Sequence, residues 1–496
     1  MWTHLALVNP QWTRVCLERS KDIPLHVEYQ PSYVNGVGTK ERNLESLRLV
    51  LKEFPRIREL QVDFGVDGYD VYLAFASCKD VSRLALESLS IRVPMHYPRL
   101  WREHTDAADV LSTVLANATN LRTLSTDGVW MIPRLPSTLR HLKVVRLQMR
   151  QAGDQKFNVL LDALRSTPLL ETFEADDSSL ITTRAMGTPA RKVTLPHLKY
   201  IYLGSDISDT AQFLSHISFP RDTHVVIESE EVRPSDPKDL AQALSTWLND
   251  PLVSTTNPGA PQHLKTYVVH QQHDGHDHTT FTFFAWKSNV MDLPSLVETA
   301  EAVDLVIPFS RDENGPKADL EVQFKLPIEA YRHRDRALRG FLGHLAVPEV
   351  QAAYIGEMRL REYEEVLVEV LAPMHNLRAL VVCGRNGRAV PRLLQQDPPL
   401  FPVLETLRLE TVRMIKPKAT PQRFIEALAE RQKNQLGLEK LDIMDCTNIN
   451  GDDVRALKMA VREVKWDDWD GKDSASEGDS FDEEEEDDGE WVDFEV

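Results

Sequence analysis

Apolar residues recur along this chain in units of one spacing, the second apolar position three after the first and the third two after that. Ile57, Leu60 and Val62 form one unit and Leu86, Leu89 and Ile91 the next. Leu121 and Leu124 make a degenerate copy whose third position is Thr126. Leu139, Leu142 and Val144 follow, then Leu170, Phe173 and Ala175, then Leu198, Ile201 and Leu203. Further on come Leu377, Leu380 and Val382, then Leu404, Leu407 and Leu409, then Leu438, Leu441 and Ile443. Residues two apart share one face of a strand, so each unit predicts a short strand with one buried side. Four units are introduced by an apolar-Pro pair: Phe54-Pro55, Leu135-Pro136, Leu195-Pro196 and Phe401-Pro402. Proline is acceptable just before a strand, where it need not donate to the ladder.

Helical patterns lie between the strands, most clearly over Asp106 to Asn117, Phe157 to Ser166, Asp239 to Leu248, Arg361 to Leu371, Pro421 to Gln432 and Asp452 to Val464. In the Pro421 stretch Phe424, Ile425 and Leu428 make one apolar stripe, with Thr420 as N-cap and proline in the first turn. The run GLEKLDIMDCTNINGDD, from Gly437 to Asp453, has the leucine-rich-repeat spacing, with Cys446 inside the bend as a small buried hydrophobe. One such unit cannot bury its own apolar face, so the pattern requires neighbours. The expected fold is α/β: an irregular leucine-rich-repeat solenoid with parallel strands on its concave face. A doubly wound α/β sheet would also alternate strands and helices, but its strands are buried on both faces. Here charges interrupt the apolar positions, as at Arg58 and Glu59 or Glu405 and Arg408, which suits strands with one exposed face. The stretch from Pro220 to about Leu345 is less regular. It predicts two strands around a turn near Asp274-Gly275, further strands at DLVIPFS from Asp304 and LEVQFKLPI from Leu320, and hence a hairpin insertion in the array.

Composition changes this picture little; charge changes it more. The chain has 496 residues, 42% hydrophobic and 27% charged, which is ordinary for a globular protein. Its formal charge of −19 is uneven: from Trp466 to Val496 sixteen Asp/Glu stand against one Lys, carrying −15 and leaving −4 for the rest. We therefore divide the chain into an N-terminal segment (1–34), a repeat domain (35–465) and a disordered acidic tail (466–496). A phosphate-backbone partner is disfavoured by that balance. No apolar run has the length of a membrane span, and the N-terminus lacks the basic segment of a secretory signal. Four scattered cysteines fit reduced thiols in a cytoplasmic or nuclear setting.

The first stretch predicts a helix opened by Pro10, with Trp12, Val15, Cys16 and Arg19 at helical spacing up to Ser20, then a strand through Leu25, Val27 and Tyr29. Trp2, Thr3, His4, Pro10, Trp12, Leu17, Ser20, Lys21, Pro24 and Leu25 together resemble the segment that follows the F-box in a family of fungal F-box proteins with leucine-rich repeats. The resemblance implies the substrate-binding part of a Skp–cullin–F-box ubiquitin ligase receptor, with a protein target. In that family the F-box lies before this point. The Leu-Pro and Val-Cys-x-x-Trp-Arg helices that dock the Skp-type adaptor have no counterpart here, so adaptor binding is expected only if an F-box stands upstream.

Candidate chemistry is sparse. His270, His273, His276 and His278, with Asp274 and Asp277, offer imidazole and carboxylate groups for a metal, but they straddle a turn and lack cysteines or a second cluster, so a solvated loop is the expected reading. Cys16, Cys78, Cys383 and Cys446 form no C-x-x-C pair. Gly36 and Gly38 lack the third glycine of a dinucleotide loop, and CGRNGRAV from Cys383 lacks the lysine of a P-loop. No residue pattern supports an enzyme, and no cofactor is expected. In the tail, Trp491 and Phe494 are candidate partner-binding anchors, and Ser474, Ser476 and Ser480 each precede an acidic residue by three, the pattern acid-directed kinases prefer. The expected function is protein recognition by the repeat array; the alternative is a scaffold with no ligase link that uses the array and the acidic tail.

Overall fold

The structure is a computed structural model and describes residues 2–7, 9–30, 37–64, 68–76, 84–93, 106–128, 135–145, 154–176, 192–229, 236–249, 263–273, 278–288, 318–327, 331–345, 347–356, 358, 363–414 and 420–468. The apolar units become strands. The N-terminal half contains β1 (His4–Ala6), β2 (Leu25–Tyr29), β3 (Ile57–Asp63), β4 (Ser88–Arg92), β5 (Thr123–Asp127), β6 (His141–Val145) and β7 (Thr172–Asp176). It continues with β8 (Val193–Thr194), β9 (Tyr200–Gly204), β10 (Ile217–Ser218) and β11 (His224–Ser229). The centre holds β12 (Thr266–His273), β13 (His278–Trp286) and β14 (Leu320–Pro327). The C-terminal part holds β15 (Ala352–Ile355), β16 (Ala379–Cys383), β17 (Thr406–Glu410), β18 (Lys440–Met444) and β19 (Glu463–Trp466).

Neighbouring strands pair in parallel and in chain order from β1 to β7, then through β9 to β11; β8 pairs separately with β10. The parallel order resumes from β12 to β15 and runs to β19. Leu60, Leu89, Leu124, Leu142, Phe173, Ile201 and Val225 stand opposite one another across this ladder, as do Leu380, Leu407, Leu441 and Val464 further on. All but Val464 of these are buried, and they form one core with the helices that lie between the strands in sequence. Those helices also pack on one another in order: Pro10–Ser20 on Val37–Leu51 on Gly68–Ala76 on Asp106–Asn117, and later Ile207–His216 on Asp236–Asn249 on Tyr331–Leu342 on Tyr363–Leu371. The architecture is thus a helical layer against one large, mostly parallel sheet, consistent with an α/β repeat solenoid. The parallel strands follow one another in chain order from β1 to β7 and from β15 to β19, with alternate positions of β2 to β7 left open on the second face, which argues against a doubly wound sheet.

The predicted insertion is present and takes a specific form. β12 and β13 are an antiparallel pair, and β13 pairs antiparallel with β14. β14, not β12, lies beside β11, so the local order is β11-β14-β13-β12-β15. Within the insert Phe283 and Phe324 meet Phe341 on the helix side, with ring centroids 5.4 and 5.9 Å apart, and Phe281 stacks on Phe324 at 5.7 Å. DLVIPFS lies outside the described residues.

The helix predicted over Asp452 to Val464 is shorter than the sequence suggested. It spans Gly451–Ala460, with Asn450 as N-cap in a capping box with Asp453. Val461 turns extended (φ −130°, ψ 140°), and Glu463–Trp466 becomes β19 against β18. The valines at 461 and 464 fit a helical stripe by spacing, but Val464 is used opposite Leu441 to extend the ladder. The run at Gly437 to Asp453 is therefore followed by one more strand, and the ladder reaches Trp466. Helices at Val37–Leu51, Gly68–Ala76, Ile207–His216 and Tyr331–Leu342 were not legible in the pattern, nor were β1, β11 and β15.

Candidate functional site

Because side chains alternate along a strand, the sheet has a second face pointing away from the buried helix-side core. It is wide and varies along its length. Over β2–β7 it is polar: Glu59 and Gln61 are exposed, and Ser88, Ser90, Thr123, Ser125, His141 and Thr172 are half-buried. Across it His26 Nδ1 lies 2.8 Å from Glu59 Oε2, His141 Nδ1 2.9 Å from Thr172 Oγ1, and Lys143 Nζ donates to Glu174 Oε2 at 2.6 Å. Exposed pairs of this kind contribute about 0–1 kcal/mol to stability, so they are surface chemistry more than scaffold. The rings of His4 and His26 stack at 4.5 Å at the β1 end.

Beyond β7 aromatics enter. Tyr200 and Tyr202 on β9 stand on the open face, and the Tyr202 hydroxyl donates to Glu228 Oε2 on β11 at 2.9 Å. Burial, then the Glu174, Glu321 and Glu228 charges, push the Tyr200 hydroxyl up to about 12. Burial and the bonded Glu228 carboxylate hold the Tyr202 hydroxyl well above the ordinary phenol range. Both are protonated donors at neutral pH.

At the insert the same face turns apolar. Val268, Phe284, Trp286, Ala352, Tyr354 and Val381 form a second buried cluster, separate from the helix-side core. Charge returns on β17 and β18. Arg408 Nε meets Glu410 Oε1 at 2.5 Å with both side chains buried, and Lys440 Nζ meets Asp442 Oδ2 at 2.6 Å. Beside them Cys383 Sγ lies 3.1 Å from Thr411 Oγ1. Gly384, Thr411 and Asp445 follow β16, β17 and β18 at one ladder level, and all three are left-handed, with φ of 59°, 53° and 50°. The chain leaves each of these strands by the same turn. At Thr411, a β-branched residue, that conformation costs roughly 1–3 kcal/mol.

The sequence candidates fall as follows. His270 lies on β12, beside Gly356, where a Cβ would come 2.7 Å from its Nδ1; burial lowers its pKa. On the ladder it pairs with Thr282, four positions along β13 from His278, whereas His273, the last residue of β12, pairs with Thr279, the neighbour of His278. His276, Asp274 and Asp277 lie outside the described residues, among which no group of three His, Cys, Asp or Glu side chains could hold a metal ion. Cys446 is buried at the bend, its Sγ 3.3 Å from the Met444 carbonyl oxygen, and burial pushes its thiol up to about 12. That is a packing role and not a nucleophile's. Trp491, Phe494, Ser474, Ser476 and Ser480 lie outside the described residues, as does Cys78. In CGRNGRAV the side chain that matters is Asn386, buried and donating Nδ2 to the Gly356 carbonyl at 2.6 Å. The run is a tie between successive turns. The open-face residues Tyr200, Tyr202, Asp176 and Glu228 were missed; the signal was available in the positions between the apolar ones of each strand unit.

No helix among the described residues is long and apolar enough to cross a membrane. No protein-family profile matches this chain, and no curated protein does. Among solved structures, one titled as the crystal structure of a TLR13–ssRNA13 complex is 11% identical, with the match covering 79% of this chain and 43% of that one. The chain thus spans less than half the length of that neighbour, and the TM-score of 0.25 is too low to carry an argument about fold or ligand.

Proposed function

We propose that this chain is a protein-recognition module that binds its target on the open strand face. The observation that carries the reading is that face itself. Side chains from successive parallel strands stand there in register and accessible, while the helices cover the other side. A surface so regular needs no hinge or pocket to present many polar contacts to an extended partner. The N-terminal segment around Trp2, Pro10, Trp12 and Pro24 supports a narrower reading, the target-binding part of a Skp–cullin–F-box ligase receptor. In that segment the Pro10–Ser20 helix, capped by Asn9, packs against the Val37–Leu51 helix, so it belongs to the helical layer of the array.

The test is affinity capture with the full chain. A Gln61→Arg/Ser125→Arg variant, altered on the open face, is expected to lose the captured target, while Glu426→Arg on the exposed side of the Pro421–Lys433 helix retains it. The reverse result overturns the reading. A Skp-type adaptor in the same eluate supports the ligase role.

A further inference from the structure

The open face is not electrically uniform. Over β2–β11 its positions carry seven carboxylates against three cations, Arg58 at the β3 bulge, Arg92 and Lys143. The excess is densest where Asp176 on β7 and Glu228 on β11 flank Tyr200 and Tyr202 on β9, beside Glu174, which Lys143 bonds at 2.6 Å. Gly204 stands in register between Asp176 and Glu228. A Cβ there would lie 2.8 Å from Asp176 Oδ1 and 3.1 Å from the Tyr202 hydroxyl, so only glycine lets these oxygens converge above the strand. Tyr202 holds Glu228 at 2.9 Å, and the two tyrosine rings are half-exposed beside the carboxylates.

We infer that this part of the face docks a lysine- or arginine-bearing segment of the protein target. The inference rests on the recognition reading above and names the chemistry of the partner. Carboxylates supply charge-assisted acceptors for an ammonium or guanidinium, and the tyrosine faces supply a surface over which such a cation is attracted. The field of the whole face steers a basic segment towards it and repels acidic ones. The chain's own C-terminal run, with sixteen acidic residues against one lysine, is excluded as the occupant by like charge, and so is a nucleic-acid backbone. Over β17 and β18, by contrast, Arg408, Glu410, Lys440 and Asp442 balance one another, so selection for a basic partner belongs to the β7–β11 region.

A short lysine–serine repeat peptide is the probe, mixed with the full chain and coupled by a carbodiimide, which joins an amine to a carboxylate in contact with it. Mass mapping after digestion reads each position separately, so coupling to the acidic C-terminal run serves as an internal reference. Coupling is expected at Glu174, Asp176 and Glu228 in the wild type. In Asp176→Asn/Glu228→Gln, coupling at Glu174 is expected to fall about fivefold or more, with the C-terminal signal unchanged. Tyr202→Phe, which keeps the ring and removes the hydroxyl, is expected to give a smaller loss, and equal thermal melts show that the variants fold. Coupling confined to the C-terminal run, or undiminished at Glu174 in the double variant, overturns the inference. If Asp176→Asn/Glu228→Gln keeps the captured target that Gln61→Arg/Ser125→Arg loses, recognition by the open face stands and the basic partner falls; if both variants keep it, both fall.

Discussion

His270 shows how much a single position depends on its neighbours across the ladder. Its imidazole fits beside β15 because residue 356 has no side chain, and burial there disfavours the protonated ring. The folded pKa therefore lies below the ordinary value of about 6.5, and as the pH drops below that value the unfolded chain takes up a proton that the folded chain resists. Stability is expected to fall with it. His270→Gln removes this contribution, so urea midpoints measured near pH 7.5 and 5.5 should differ less in the variant than in the wild type. Residues differ in how far the sequence reveals such roles. Cys446 was readable as a buried bend residue because its place follows from the strand spacing before it. Asn386 was not, because its partner, the Gly356 carbonyl, is set by how successive turns stack.

At the level of elements, the nine apolar units all became strands, since each needs only local spacing to declare one buried face. What local spacing could not give was where a periodic stretch changes state. The pattern after Asn450 continues past the end of its helix because Val461 and Val464 suit a helix stripe and a strand alike, and pairing with β18 decides between them. The insert is held by a contact no spacing predicts. Lys287, at the end of β13, is buried with its Nζ 3.6 Å from Asp319 Oδ1, donates to the Arg221 carbonyl, and lies 5.2 Å from the Trp247 ring centroid. Desolvation lowers its pKa against the pull of Asp319. Asp319 Oδ2 also accepts from the Lys287 backbone N–H at 2.7 Å. Removing one partner leaves a buried charge alone, so Asp319→Ala should destabilise by about 3 kcal/mol, whereas Lys287→Met should change stability by about 1 kcal/mol or less. Chemical denaturation of the two variants checks the asymmetry.

For the whole molecule, a stack in which each strand touches only its neighbours should respond locally to damage. Phe173 is fully buried between β6 and β9, and Phe173→Ala is expected to cost about 3–5 kcal/mol. Hydrogen exchange should accelerate most in β6, β7 and β9 and least in β16–β18; uniform acceleration would show that the chain opens as one unit. The general architecture was legible because it is a repetition of local patterns. The open face was legible only as a by-product, since the polar positions acquire meaning once register places Asp176, Tyr202 and Glu228 side by side.

The inverted order at the centre has a kinetic side. A sheet whose strands lie in chain order can grow from any point by adding the next strand. Here β12 emerges from the chain before β13 and β14, yet its place is three strand spacings, roughly 14 Å, beyond β11. It cannot dock on the N-terminal half until β14 has arrived to bridge the gap. Growth from the N-terminus must therefore pause at β11, and β12 can meanwhile pair with β15 and start a second nucleus. The antiparallel strands then act as a keystone, placed last, joining two arcs that were raised separately.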